Sequence, residues 1–120
     1  MGFREHLQDV CKGVDGAVAC SLMGVDGIEV DTHVVAEEAG LDVKSLLVEY
    51  SSLFRSARDA AGAHEAGELA ELSVNTGRLW TVARLVSPDY FMAVALRPEG
   101  NLGKARFLLR ITAPKVRSEL

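Results

Sequence analysis

The chain is poor in the residues that carry most protein chemistry. It holds two cysteines, Cys11 and Cys20, and three histidines, His6, His33 and His64. No HxxH or HxxxH pair and no Cys–His spacing matches a zinc site, so no metal is expected. Neither cysteine belongs to a CxxC pair. Cys20 lies in an apolar run, where a reduced thiol behaves as a small hydrophobe, in keeping with a reducing cytoplasm. GxxxxGK[ST] and GxGxxG are both absent, and no Lys-Ser/Thr follows Gly24-Val25-Asp26-Gly27. Nucleotide binding by a phosphate loop of the chain's own is therefore not expected. Nothing places a base beside Ser51 or Ser52, so nucleophilic catalysis has no support. The expectation is a non-catalytic binding protein without a cofactor.

Long apolar runs are also missing. No stretch approaches the ~20 residues of a membrane span, and Met1–His6 lacks the apolar core of a signal peptide. Met1-Gly2 starts like a myristoylation site, but His6 stands where Ser or Thr is required. A cytoplasmic protein that does not insert into membranes is expected. The net charge of −4 argues against a general nucleic-acid binder. That charge is uneven. Five of the thirteen Lys and Arg residues (Lys104, Arg106, Arg110, Lys115, Arg117) fall in 101–120, against Glu119 alone. They either form a basic patch for an acidic partner or solvate the outer face and C-terminus of a helix.

What is present is a scaffold. At 120 residues, 48% apolar and 25% charged, the chain reads as a single domain, residues 1–120, able to bury its own core. Phe3, Leu7, Val10 and Cys11 share one face of a helix over 3–13, with Gly13 as a stop. Gly16–Met23 and Ile28–Thr32 flank Asp26-Gly27 as a first hairpin. Ile28, Val30 and Thr32 alternate with Glu29, Asp31 and His33, and Glu29 and Asp31 read as a solvated strand face. Asp42 is placed to cap a long helix over 43–64. Its apolar face is Leu46, Leu47, Tyr50, Leu53, Phe54, Ala57 and Ala61, with small residues around much of the remainder. At about 22 residues it exceeds the ~11–12 of an average helix. It should overhang its own sheet and pair with a second copy of itself.

Three strands follow, Glu68–Asn75, Arg78–Val86 and Tyr90–Arg97, turning at Thr76-Gly77 and Ser87-Pro88-Asp89. Trp80 reads as half-buried core, with an interface anchor as the alternative. Tyr50 and Phe54 read either as sheet packing or as anchors for a partner. A last helix spans about 102–112, and Pro114 is expected to end or kink it. Runs such as Ala17–Cys20 and Tyr90–Leu96 are apolar on both faces, so helices must cover both faces of the sheet. The fold class is α+β, in the order α-β-β-α-β-β-β-α.

Four pieces carry a family resemblance over nearly the whole chain: Val14-Asp15-Gly16-Ala17-Val18, Gly24-Val25-Asp26-Gly27-Ile28, Gly67 through Arg84 with Thr76-Gly77-Arg78-Leu79 at its turn, and Asn101-Leu102-Gly103-Lys104-Ala105-Arg106. In order and spacing they resemble the Roadblock/LC7 family, which includes the bacterial MglB-like proteins. The resemblance implies a five-stranded antiparallel sheet with the middle helix on one face and the terminal helices on the other. It implies a homodimer through that helix and the third strand, involving Leu46, Leu47, Tyr50, Leu53, Phe54, Ala57, Ala61, Leu72 and Val74. It further implies a small Ras-like GTPase as partner, docked on Glu49, Ser52, Arg55, Ser56 and Asp59, with stimulated hydrolysis in the MglB-like case. The alternative is an adaptor, like the dynein light chains, that binds irrespective of nucleotide. Arg55 and Arg58 invite an arginine-finger role, but they sit inside a helix rather than on a mobile loop, and pairing with Asp59 is the simpler expectation.

Overall fold

The first hairpin extends into a sheet on one side only, and the long helix after it carries the chain to the far edge before the next strand begins. In the computed structural model, which describes residues 2–120, the elements are α1 (Phe3–Gly13), β1 (Ala17–Gly24), β2 (Glu29–Val34), α2 (Val43–Ala63), β3 (Glu71–Asn75), β4 (Trp80–Ser87), β5 (Tyr90–Leu96) and α3 (Leu102–Arg117). Met1 of the N-terminal reading lies outside the described residues. The five strands form one sheet in the order β2-β1-β5-β4-β3. Every pairing is antiparallel. The β1–β2 hairpin occupies one edge, and α2 crosses to the other. The meander β3-β4-β5 then returns until β5 seats against β1.

The two faces are covered unequally. Cys20, Leu22, Val82, Met92, Val94 and Leu96 pack under Leu7 and Val10 of α1 and Ala105, Leu109 and Val116 of α3. Val18, Ala19, Met23, Ala83, Phe91, Ala93 and Ala95 pack under α2 through Val43, Leu47 and Phe54. A bulge in β1 between Ala17 and Ala19 turns these neighbours to opposite faces. Thus one face carries two helices and the other carries one.

Phe54 is the pin of the single-helix face. Its ring stacks on Phe91 with centroids 4.8 Å apart and planes 13° from parallel. The opposite end of the sheet closes through two glycines. Gly16 has φ +85°, and a Cβ on Gly100 would lie 2.4 Å from the Asp15 carbonyl oxygen. Only the absence of a side chain lets the entry to β1 lie against the turn after β5. Side chains tie α1 to its surroundings: Arg4 pairs with Asp31, and buried His6 meets Glu119 at 2.8 Å.

Several local expectations change. The helix α3 runs through Pro114 to Arg117. The carbonyl that Pro114 leaves without a donor belongs to exposed Arg110, where water can serve it, while buried Ala113 and Val116 hold the last turn on the core. β3 begins at Glu71 rather than Glu68. Ile28, just before β2, is 68% exposed and only Thr32 of the alternating set is buried, because β2 is an edge strand with no neighbour on its outer side among the described residues. Glu29 and Asp31 do not act as a pair: Glu29 faces Lys44 and Thr32, and Asp31 faces Arg4. Trp80 is half-buried against the two-helix face. Both cysteines are free and buried. A hydrogen bond with Cys11, together with full burial, pushes the Cys20 thiol well above its ordinary range.

Replacing Phe54 with Ala removes the stack and leaves a cavity between α2 and the sheet. It should lower unfolding free energy by about 3–5 kcal/mol in urea titration. A loss under about 1 kcal/mol would mean that the helix is held by other contacts.

Candidate functional site

The sequence of α2 places its side chains on three distinct stripes. Val43, Leu47, Ser51 and Phe54 point into the protomer's own core and are buried. Leu46, Tyr50, Ala57 and Ala61 lie along one shoulder, half-buried, and Leu53 beside them is 48% exposed. Glu49, Ser52, Arg55, Ser56 and Asp59 are all exposed, with Arg55 on the shoulder toward the β1–β2 turn. Asp42 starts the helix: its carboxylate accepts from the Ser45 backbone N–H at 3.1 Å and from the Ser45 hydroxyl at 2.8 Å.

The shoulder stripe is incomplete as packing. It meets β3, the open edge of the sheet, where Leu72 and Val74 are also half-buried. Tyr50, Leu72 and Val74 close over a narrow apolar cleft of ≈ 10 Å³ with Thr81 at its floor. The Thr81 hydroxyl is buried there without a hydrogen-bond partner among the described residues. The cleft is far too small for a ligand of the usual few hundred Å³. The apolar side chains around it present a surface, not a pocket. Beyond them the backbone groups on the outer edge of β3 have no strand to pair with among the described residues, an arrangement that proteins commonly cover.

Of the nine residues expected at a dimer interface, Leu47 and Phe54 are only 1% exposed in the single protomer. Leu46, Tyr50, Leu53, Ala57, Ala61, Leu72 and Val74 come together on the open flank. Sequence periodicity alone did not separate the two sets, because both fall within one broad apolar arc. Knowing which strands lie beneath the helix was required.

The two arginines on α2 are tied to loops. Arg55 donates to the Val25 carbonyl oxygen at 3.0 Å, in the β1–β2 turn. Arg58 donates to the Pro88 carbonyl oxygen at 2.8 Å and lies 3.2 Å from Asp59. The expected pairing with Asp59 holds for Arg58, while Arg55 uses a backbone acceptor that no sequence motif marks. Gly27, with φ +91°, brings the same turn against α2, where a Cβ would stand 3.2 Å from the Ser51 hydroxyl. Among the described residues no group of three or more His, Cys, Asp or Glu could hold a metal ion. No described helix is long and apolar enough to cross a membrane.

No protein-family model and no curated protein matches the chain. Solved structures do. MglC from Myxococcus xanthus is 52% identical over 100% of both chains, with a TM-score of 0.73. A Roadblock/LC7 domain from Streptomyces avermitilis is 13% identical, covers 99% of this chain and 98% of its own, and has a TM-score of 0.84. The gliding protein MglB from Thermus thermophilus is 12% identical, covers 98% of this chain and 89% of its own, and has a TM-score of 0.81. The last two show the fold alone; the sequence kinship is with MglC.

The Asp42 cap gives a pH test of the helix that carries this flank. The Ser45 N–H and hydroxyl hold the Asp42 carboxyl below its ordinary value. Its contribution is present above the unfolded carboxylate pKa and is lost as pH falls through the lowered folded value. The Tm advantage of wild type over Asp42→Ala should therefore shrink on acidification through that range. A gap that stays constant with pH would count against a charged cap.

Proposed function

The chain belongs to the Roadblock/LC7 family of regulators and adaptors, and from that premise we propose that it works as a homodimer that binds a small Ras-like GTPase and modulates its nucleotide cycle. The supporting observation is the open flank of α2 and β3. Pairing two copies there buries Leu46, Tyr50, Leu53 and Ala57 together with Leu72 and Val74, and gives each β3 edge a partner strand. It joins two five-stranded sheets into one. The exposed stripes of the two α2 helices, each with Glu49, Ser52, Arg55, Ser56 and Asp59, then lie side by side as a GTPase-docking surface.

The mode of action follows from the arginines. Arg55 and Arg58 are engaged by the Val25 and Pro88 carbonyls. Inserting either into a GTPase site would mean breaking those bonds from within a helix. Any change in turnover therefore comes from holding the GTPase's switch loops in one arrangement. The same observation favours a second reading, an adaptor that binds the GTPase whatever its nucleotide. The stimulated hydrolysis implied by the MglB-like resemblance has only fold likeness behind it.

Two measurements test this proposal. The Ala57→Glu variant sets a charge on the pairing flank, at a cost on the order of 3–5 kcal/mol for an unpaired buried charge. Sedimentation should show monomer or insoluble protein, and a soluble dimer of normal stability would place Ala57 elsewhere. The GTPase is then titrated with the protein, loaded with GDP or with a non-hydrolysable GTP analogue. Tighter binding of the GTP form supports a regulator, and equal affinities support the adaptor. An arginine finger is worth roughly 10³–10⁵ in turnover. The Arg55→Ala/Arg58→Ala pair should change turnover by less than about tenfold, and a loss of about 10³ would restore the finger.

A further inference from the structure

The cations of 101–120 are not spread evenly around α3. Arg106 is neutralised: its Nε and Nη2 approach Glu71 Oε2 at 2.9 and 2.8 Å. Glu71 is also the residue directly across the strands from Arg84. Because Arg106 takes that carboxylate, Arg84 is left half-buried with no hydrogen bond or ion pair among the described residues. Arg84 sits between two grooves. One, of ≈ 440 Å³, runs along α3 past Gly103, Arg106, Phe107 and Arg110 to Ala70 and Glu71. The other, of ≈ 760 Å³, continues toward Arg117 and the 65–70 loop.

Two apolar side chains stand on the same helix in the open. Phe107 is 44% exposed and Ile111 is 40% exposed. Lys104 and Arg110 lean over the Phe107 ring at 5.8 and 5.6 Å, so cations and apolar surface are interleaved. Neither Lys104 nor Arg110 has an acidic partner among the described residues. A solvated helix end explains cations on α3 itself. It does not explain Arg84, which comes from β4 beneath the helix, or the apolar side chains among them.

We propose that the groove between α3 and β4 binds an acidic segment of a partner protein, with carboxylates set on Arg84 and Arg110 and an apolar side chain laid on Phe107. Guanidinium forks match carboxylates in two-point geometry. A carboxylate on Arg84 offsets desolvation that the free chain leaves uncompensated. A concave groove suits a peptide better than a flat lipid surface. Glu71 on its wall and a net charge of −4 disfavour a nucleic-acid backbone. The ≈ 440 Å³ groove is lined by no α2 residue, whereas the ≈ 760 Å³ groove reaches Arg58 and Gly62 of α2, so the binding site is assigned to the first, apart from the GTPase reading.

The probe is a fluorescein-labelled peptide of alternating Glu and Asp with a central Leu-Phe pair, followed by anisotropy with the full chain. Binding should be salt-sensitive, weakening between about 0.05 and 0.3 M salt as the Debye length shortens. The Arg84→Gln/Arg110→Gln double variant should weaken it about tenfold or more, as should Phe107→Ala, while Lys12→Gln on α1 leaves it unchanged. Unchanged thermal midpoints show that the variants are folded. No binding at about 1 mM peptide overturns the proposal, as does binding that the double variant does not weaken. Tighter, variant-sensitive binding to phosphatidylglycerol vesicles or a short DNA duplex overturns the choice of occupant.

Discussion

Three helices must cover two apolar faces of one sheet, and they cannot do so evenly. The constraint begins in β1 and β5, whose residues are buried on both sides. α1 and α3 share one face. On the other, α2 works alone, pinned by Phe54 on Phe91. One helix is ~10 Å across with its side chains, against ~19 Å between the outer strands of five, and Leu72 and Val74 of β3 stay only half-buried beside it. The open flank is a direct result of that mismatch. It is also where the family's mode of assembly would place a second copy.

The two faces therefore offer different chemistry. The α2 side presents apolar shoulders beside an unpaired strand, suited to a like surface from a second sheet. The α3 side presents unneutralised cations around two apolar side chains, suited to a segment of opposite charge. Between them lies the five-stranded sheet.

Much of this was legible in the sequence, for identifiable reasons. Alternation and turn chemistry located the strands, since Asp26-Gly27 and Thr76-Gly77 each mark a hairpin. The 3.6-residue period located α2, and Asp42 marked its start. What failed depended on solvent and neighbours. Pro114 predicts an end or a kink because it removes a donor and restricts Ala113, yet the helix runs on to Arg117 and the orphaned carbonyl belongs to exposed Arg110. Ile28 and Val30 look like half of a buried strand, but they sit at an edge and stay exposed. The apolar arc of α2 was visible, but its division into core (Leu47, Phe54) and open flank (Leu46, Leu53) depends on what lies below. Arg55 gave no sign that a backbone carbonyl 30 residues earlier would hold it. The basic C-terminal stretch was visible as a bias, whereas Arg84, its partner from β4, was not.

The most direct measurement is amide hydrogen exchange along β3 as a function of protein concentration. If β3 is where two sheets join, the outward-facing amides of Glu71–Asn75 are protected at concentrations that favour association and become labile on dilution. Fast exchange of those amides at every concentration, beside a protected β4, would mean that the edge stays open and that the chain does not assemble through it.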